Sequence, residues 1–190
     1  MKMFYHASLK DDLTELVPIS KCFDDPSVKC AYVTDNLAYA FMYIRDMDIN
    51  LVTCGVKEDN KVYYEEQFEN QLEVLYKNKS GYIYYCKADK DFKKRSDTNG
   101  IYYSINSIPL IRKKFIPDVY KLIKKAIEEK KIIVQEFKDL PKERKQGLDD
   151  YIAKKILSND FYSNNKKLHD FYKNYYSDAW NLANKMKNGN

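Results

Sequence analysis

Up to about residue 115 the chain alternates short apolar and aromatic runs with clusters of Asp, Asn, Gly and Lys. The runs are Met3 to Ala7, Ala31 to Thr34, Leu51 to Val56, Leu72 to Tyr76, Tyr82 to Cys86 and Ile101 to Ile105. Short β-branched or aromatic segments bounded by turn residues read as strands. Between two of them, Asn78-Lys79-Ser80-Gly81 reads as a hairpin connection in which Gly supplies a positive φ. One helix is predicted in this part, over 36–45. There Leu37, Ala40, Phe41 and Ile44 recur at three- and four-residue spacing, and Thr34 or Asp35 can serve as N-cap.

The period changes near Pro117. A proline suits a first helical turn, where its missing N–H has no partner to lose, and Val119, Tyr120, Ile123 and Ile127 then form one apolar stripe as far as Lys130. Ile132-Ile133-Val134, with Phe137, reads as a last short strand. Pro141 opens a second helix with Leu148, Tyr151, Ile152 and Ile156 on one face, and Ser158 to Asn165 interrupts it. A third helix carries Leu168, Phe171, Tyr172, Tyr175, Ala179, Leu182, Ala183 and Met186. The expectation is an α+β fold, a small split antiparallel-rich sheet over residues 1–115 with a C-terminal helical lobe over 116–190.

Composition narrows the function classes. Mean hydropathy of −0.67 with 32% charged residues, and no apolar run near the roughly 18 residues of a spanning helix, argue against a membrane protein. The start Met1-Lys2-Met3-Phe4-Tyr5-His6 lacks the apolar stretch of a signal peptide, so the expected location is cytoplasmic. The charge balance, 33 basic against 28 acidic residues, permits an anionic partner. Taken over the whole chain, it falls short of the footprint of a dedicated nucleic-acid binder, so nucleic acid is permitted without being indicated. Cys22, Cys30, Cys54 and Cys86 contain no C-x-x-C pair, and there are only two histidines. Neither a zinc site nor a redox dithiol is spelled, and free thiols are expected.

Three segments carry candidate chemistry. Phe4-Tyr5-His6-Ala7-Ser8 is a strand-like run ending in His and Ser. In Ala31-Tyr32-Val33-Thr34-Asp35-Asn36-Leu37-Ala38-Tyr39-Ala40 a strand runs directly into a helix. Lys79-Ser80-Gly81-Tyr82-Ile83-Tyr84 places alternating aromatics after Gly. Together they resemble the ADP-ribosyltransferase-like fold of the diphtheria-toxin and poly(ADP-ribose) polymerase type. In that fold a first-strand His, in a His-Gly/Ala-Ser/Thr setting, is followed by a second-strand Tyr that leads into a helix. The resemblance covers roughly residues 1–110. It implies that NAD or a related adenine nucleotide is bound, with His6 on a ribose hydroxyl and Ser8 as a second polar contact. Tyr32 would stack on the nicotinamide, and Tyr43 would form a second aromatic wall. A neutral imidazole offers one donor and one acceptor to a diol, and an aromatic face covers a planar ring at low entropy cost.

The sequence departs from that pattern at the carboxylate. In the polymerase-like members a Glu opens a later strand, and the best counterpart here is Asn99-Gly100-Ile101-Tyr102-Tyr103-Ser104, which puts Gly100 or Ile101 in the acidic place. Either Glu73 or Glu136, both read as strand residues, substitutes as the catalytic group, or the domain binds a nucleotide without transferring it. The acceptor of any transferred ADP-ribose carries no legible motif. A reading from another class is a non-enzymatic module for a protein or nucleic-acid partner.

Each of these residues also has an ordinary alternative. His6 can be a half-buried strand residue satisfied by its neighbours, and Tyr32 one of 18 tyrosines in the core. Glu73 and Glu136 can be solvated carboxylates. Lys121, Lys124, Lys125, Lys130 and Lys131 look like an RNA or membrane-surface patch, but their alternation with Ile123 and Ile127 is what the wet face of any amphipathic helix shows. His169 and Asp170 suit a packing or capping role on the third helix.

Overall fold

The computed structural model describes residues 2–46, 51–87, 90–158 and 166–189. In chain order the strands are β1 (Met3–Ser8), β2 (Glu15–Leu16), β3 (Ser20–Lys21), β4 (Lys29–Thr34), β5 (Thr53–Val56), β6 (Val62–Glu65), β7 (Gly81–Lys87), β8 (Lys93–Lys94), β9 (Ile101–Ser104), β10 (Ile108–Pro109), β11 (Arg112–Ile116) and β12 (Ile132–Gln135). The helices are α1 (Leu37–Phe41), α2 (Gln71–Tyr76), α3 (Val119–Glu128), α4 (Lys142–Ser158), α5 (Lys166–Tyr175) and α6 (Ser177–Lys187), with a single 3₁₀ turn at Phe137–Asp139. The architecture is α+β, with antiparallel-rich sheets and a C-terminal helical region. Among the described residues no helix is long and apolar enough to cross a membrane.

The chain divides into two compact units. The first comprises Met1–Met47, Cys54–Tyr64 and Leu72–Val134, and the second Asp48–Thr53, Glu65–Gln71 and Gln135–Asn190. Helix α3 thus clusters with the sheet and not with a helical lobe over 116–190.

The main sheet of the first unit runs β11-β7-β1-β4-β9-β8, with β3 also on β4, and all its pairings are antiparallel. β1 and β7 are zipped from Met3 opposite Lys87 to Ser8 opposite Tyr82, and β4 pairs β9 from Ala31 opposite Ser104 to Thr34 opposite Ile101. β1 and β4 share a ladder position only at Tyr5 and Thr34. Side chains alternate across a strand, so Phe4, Ala31, Val33 and Cys86 leave the sheet on one side. There they form a core with Leu16 and Ile108 of the β2–β10 pair. Helix α3 buries Val119, Ile123 and Ala126, and the Asp118 carboxylate caps it by accepting from the Lys121 N–H at 2.8 Å. A smaller sheet is ordered β12-β6-β5.

In the second unit, α4 buries Leu148, Ile152 and Ile156, α5 buries Leu168 and Tyr172, and α6 buries Ala179, Trp180 and Ala183. The buried Gln71 carboxamide accepts from the Gln67 N–H at 3.0 Å and donates to the Leu51 carbonyl and to the Tyr176 hydroxyl, each at 3.1 Å. His169 packs edge-on against Trp180 and lies 3.0 Å from Asp170.

Several expectations are corrected. Leu72–Tyr76 is the helix α2, not a strand, and its buried residues Leu72, Leu75 and Tyr76 stand at helical spacing. Glu73 is therefore a helical residue. The turn after α2 takes its left-handed residue from Asn78 (φ 60°), while Gly81 is already in β7. A Cβ on Gly81 would lie 2.9 Å from the Ser8 carbonyl oxygen and against the Ile44 side chain, so glycine is needed there for close approach. Asn36, not Thr34 or Asp35, caps α1, accepting from the Tyr39 N–H at 2.9 Å. The helix is shorter than 36–45, and the following backbone closes by three-residue hydrogen bonds from Met42, Tyr43 and Ile44. The third C-terminal helix is broken at Tyr176, whose backbone (φ −122°, ψ 49°) is not helical. Of the interruption expected over 158–165, residues 159–165 lie outside the described residues.

Replacing Gly81 with Ala should lower the unfolding free energy by about 1–3 kcal/mol, the usual cost of overpacking a filled site. Urea denaturation of both proteins measures it, and an unchanged midpoint would show that the β1–β7 approach is looser than this.

Candidate functional site

β1 and β4 part beyond the bridge between Tyr5 and Thr34, and a cavity of about 520 Å³ occupies the opening. Every residue from Tyr5 to Lys10 lines it, and so does every residue from Tyr32 to Thr34. An intact sheet face presents only alternate residues, so this unbroken lining identifies a seam between strands, not a depression on one face. The volume falls within the range of small-molecule sites.

Inside the seam the His6 ring lies against the opposite strand, with Nδ1 3.0 Å from the Tyr32 carbonyl oxygen. A carbonyl can only accept, so Nδ1 carries the proton and Nε2 is left as an acceptor. Nε2 has no hydrogen-bond partner among the described residues. Desolvation is the larger influence on the ring and lowers its pKa below the ordinary imidazole value, against a smaller opposing effect of the Tyr32 carbonyl. His6 is therefore neutral at pH 7. The Ser8 hydroxyl accepts from the Lys10 N–H at 3.0 Å, which closes the turn after β1 and leaves its own proton to donate.

The aromatic wall comes from the first turn after β4. Thr34 donates through its hydroxyl to the Gly100 carbonyl at 2.6 Å and accepts from the Asn36 N–H at 3.1 Å, which locks the strand-to-helix corner. Asn36 also donates to the Asn60 carbonyl at 2.6 Å. The corner aims Tyr39 and Tyr43 into the cavity with their hydroxyls 2.9 Å apart and their rings edge to face. The Tyr76 hydroxyl donates to the Met42 carbonyl at 2.8 Å and holds the end of this turn. Burial pushes both cavity phenols up, and pushes the neighbouring Cys54 thiol up to about 11, so all three are neutral.

Tyr32 lines the cavity with its ring but has committed its hydroxyl. That oxygen accepts from the Phe23 N–H at 2.7 Å and donates to the Lys21 carbonyl at 3.2 Å, and burial pushes it up to about 12. The ring packs on the Cys22–Cys30–Tyr103 cluster, in which both cysteines are free thiols. Arg95, which the sequence did not single out, also lines the cavity. Its guanidinium stands 4.1 Å from the Phe23 ring centre and is held by Asp97 through two hydrogen bonds of 2.6 and 2.8 Å.

The structure thus brings His6, Ser8, Tyr32 and Tyr43 to one cavity. Among the described residues no carboxylate lines it. Glu73 lies on α2, exposed and paired with Lys77 at 2.7 Å. Glu136 belongs to the second unit, where it precedes the 3₁₀ turn and pairs with Lys138 at 2.6 Å. Ile101, one of the two positions matched to the acidic place, is buried in the lining. The other, Gly100, has φ 69°, and a Cβ there would sit 3.1 Å from the Val56 side chain. Among the described residues no three His, Cys, Asp or Glu side chains converge to hold a metal ion. Comparison with family models, with curated proteins and with solved structures finds no match.

A neutral, desolvated His6 requires its NMR titration midpoint to lie below 6.5, and with two histidines the signals are assignable by a single His6→Gln variant. The unfolded ring takes up protons at higher pH than the folded one. The His6 contribution to stability is therefore complete above the unfolded value and is lost as pH falls from about 6.5 towards the folded value. Wild-type stability should fall more steeply than that of His6→Gln across this window. A midpoint above 6.5 would mean that the ring is solvated or faces an anion.

Proposed function

We propose that the chain is an ADP-ribosyltransferase-like protein whose seam binds NAD or a related adenine nucleotide, with transfer absent or very slow. The observation that carries this reading is the His6 ring, pinned through Nδ1 and offering Nε2 beside the Ser8 hydroxyl inside a cavity walled by tyrosines. An acceptor next to a donor matches a ribose diol, and the Tyr39, Tyr43 and Tyr32 rings suit a planar base or nicotinamide. The charged residues of the lining, Lys10 and Arg95, are both cationic, which favours an anionic ligand such as a pyrophosphate.

NAD supplies the labile bond from ribose to nicotinamide. His6 and Ser8 orient the ribose, and the tyrosine wall excludes water from the ring. Breaking that bond develops positive charge on the ribose, and one well-placed group of opposite charge is typically worth about 10²- to 10³-fold in rate. Among the described residues the cavity lining contains none, and Ile101 occupies a position where the resemblance expects one. Binding without efficient transfer is the consequence.

Titration calorimetry with NAD and with ADP-ribose should detect a single site. His6→Ala should weaken it about three- to tenfold, the worth of one hydrogen bond between neutral groups, and Tyr43→Ala should weaken it further. Incubation with labelled NAD should give no transfer above background. Absence of heat with both ligands would overturn the reading. Robust transfer that survives Glu73→Gln and Glu136→Gln would overturn its catalytic half.

A further inference from the structure

The net charge of the chain is not spread evenly. Residues 112–131 hold eight basic and three acidic residues, an excess of five that equals the excess of the entire 190-residue sequence. All eight cations are exposed. Six lie on two adjacent elements of the first unit, the terminal strand β11 and α3, where Lys121, Lys124, Lys125 and Glu128 share one helical stripe, and Lys130 and Lys131 follow the end of α3. Between the two elements runs a groove of about 600 Å³, lined by Lys114, Lys121, Lys124 and Lys125.

Lys114 and Lys121 have no ion-pair partner among the described residues. Of the acids at the groove, Asp118 is committed to the cap of α3, and Glu128 alone faces it as a solvated carboxylate. Phe115 borders the groove, half exposed; its side chain leaves the terminal strand β11 on the face opposite Lys114, where its ring is 5.2 Å from that of Tyr82 on β7.

We propose that this groove binds single-stranded nucleic acid, with the four lysines on consecutive phosphates and Phe115, across the edge of β11, stacking under an unpaired base. A cationic groove bordered by an exposed aromatic face is an arrangement that suits single strands, because every base offers a π-face to stack on. A duplex keeps those faces hidden. A peptide strand added to β11 is disfavoured, since three consecutive cations on an edge strand are a common guard against such pairing. A membrane surface calls for an apolar row on a protruding face, whereas here a single half-exposed ring stands beside a concavity. The proposal stands on residues outside the His6 cavity and does not depend on what that cavity binds.

The test is fluorescence anisotropy of the full chain with a labelled 12-nucleotide single-stranded RNA of mixed sequence at several salt concentrations. Four phosphate contacts predict that log K falls against log salt with a slope near −3, about −0.7 per contact. Lys114→Gln with Lys121→Gln should flatten the slope by about 1.4 and weaken binding at low salt. Phe115→Ala should weaken binding about tenfold with the slope unchanged, and Phe115→Trp should restore it. His6→Ala should change neither quantity, which separates this surface from the nucleotide seam. Three results would overturn the proposal: no anisotropy change at low salt, affinity insensitive to the lysine and Phe115 variants, or capture by vesicles containing phosphatidylserine with no binding of the RNA.

Discussion

Beyond the Tyr5–Thr34 bridge, β1 and β4 cease to hydrogen-bond as neighbours, and most of what is distinctive in the first unit follows from that parting. Strands in a sheet satisfy one another's backbone groups, and an unsatisfied buried carbonyl costs about 1–3 kcal/mol. Here the Tyr32 carbonyl is satisfied by the His6 side chain. The same hydrogen bond fixes the ring orientation and the position of its proton. A structural need, capping a carbonyl at an opened seam, thereby presents a bare imidazole nitrogen to the cavity. The long β1–β7 ladder on the other side of β1 keeps the seam from closing by displacement of that strand.

The remaining walls are fixed just as locally. Thr34, Asn36 and Gly100 tie the corner between β4 and α1 to β9. Tyr76 fixes the far end of that turn through Met42. The tyrosines at the cavity are therefore held before any ligand arrives, and binding to a pre-ordered wall forfeits less entropy than binding to mobile side chains. The same rigidity constrains chemistry. Gly100 is in a left-handed backbone conformation, a conformation rarely adopted by residues with a Cβ, and Ile101 is packed into the lining. At the Ile101 position a carboxylate could enter only by replacing a buried apolar side chain.

Much of this was legible in the sequence, for identifiable reasons. β1, β4, β7 and β9 pack one or both faces, so their apolar periodicity survives in the chain, and the His6 and Tyr32 motifs could be placed on them. Leu72–Tyr76 is ambiguous because a five-residue segment with four apolar or aromatic residues fits a strand or a helical turn equally, and the deciding contacts of Leu72, Leu75 and Tyr76 are tertiary. β11 was missed because an edge strand reading Arg-Lys-Lys-Phe-Ile, exposed at four of five positions, carries no apolar alternation. Among the cavity residues, His6, Ser8, Tyr32 and Tyr43 lie within or next to recognisable motifs. Arg95 comes from a loop after β8 whose composition is that of any solvated turn, and only the pairing of β8 with β9 brings it to the cavity. Charge behaved in the same way: the average of +5 looks mild, and its concentration between β11 and α3 emerges from their adjacency.

The central claim is that His6 is neutral, protonated at Nδ1 towards the Tyr32 carbonyl, with Nε2 open to the cavity. ¹⁵N chemical shifts of the two ring nitrogens at pH 7 read this directly. The expected result is a protonated, hydrogen-bonded Nδ1 and an unprotonated Nε2 whose shift moves when NAD or ADP-ribose is added. A neutral ring protonated at Nε2 would contradict it, because the Tyr32 carbonyl would then face a second acceptor and lose its donor.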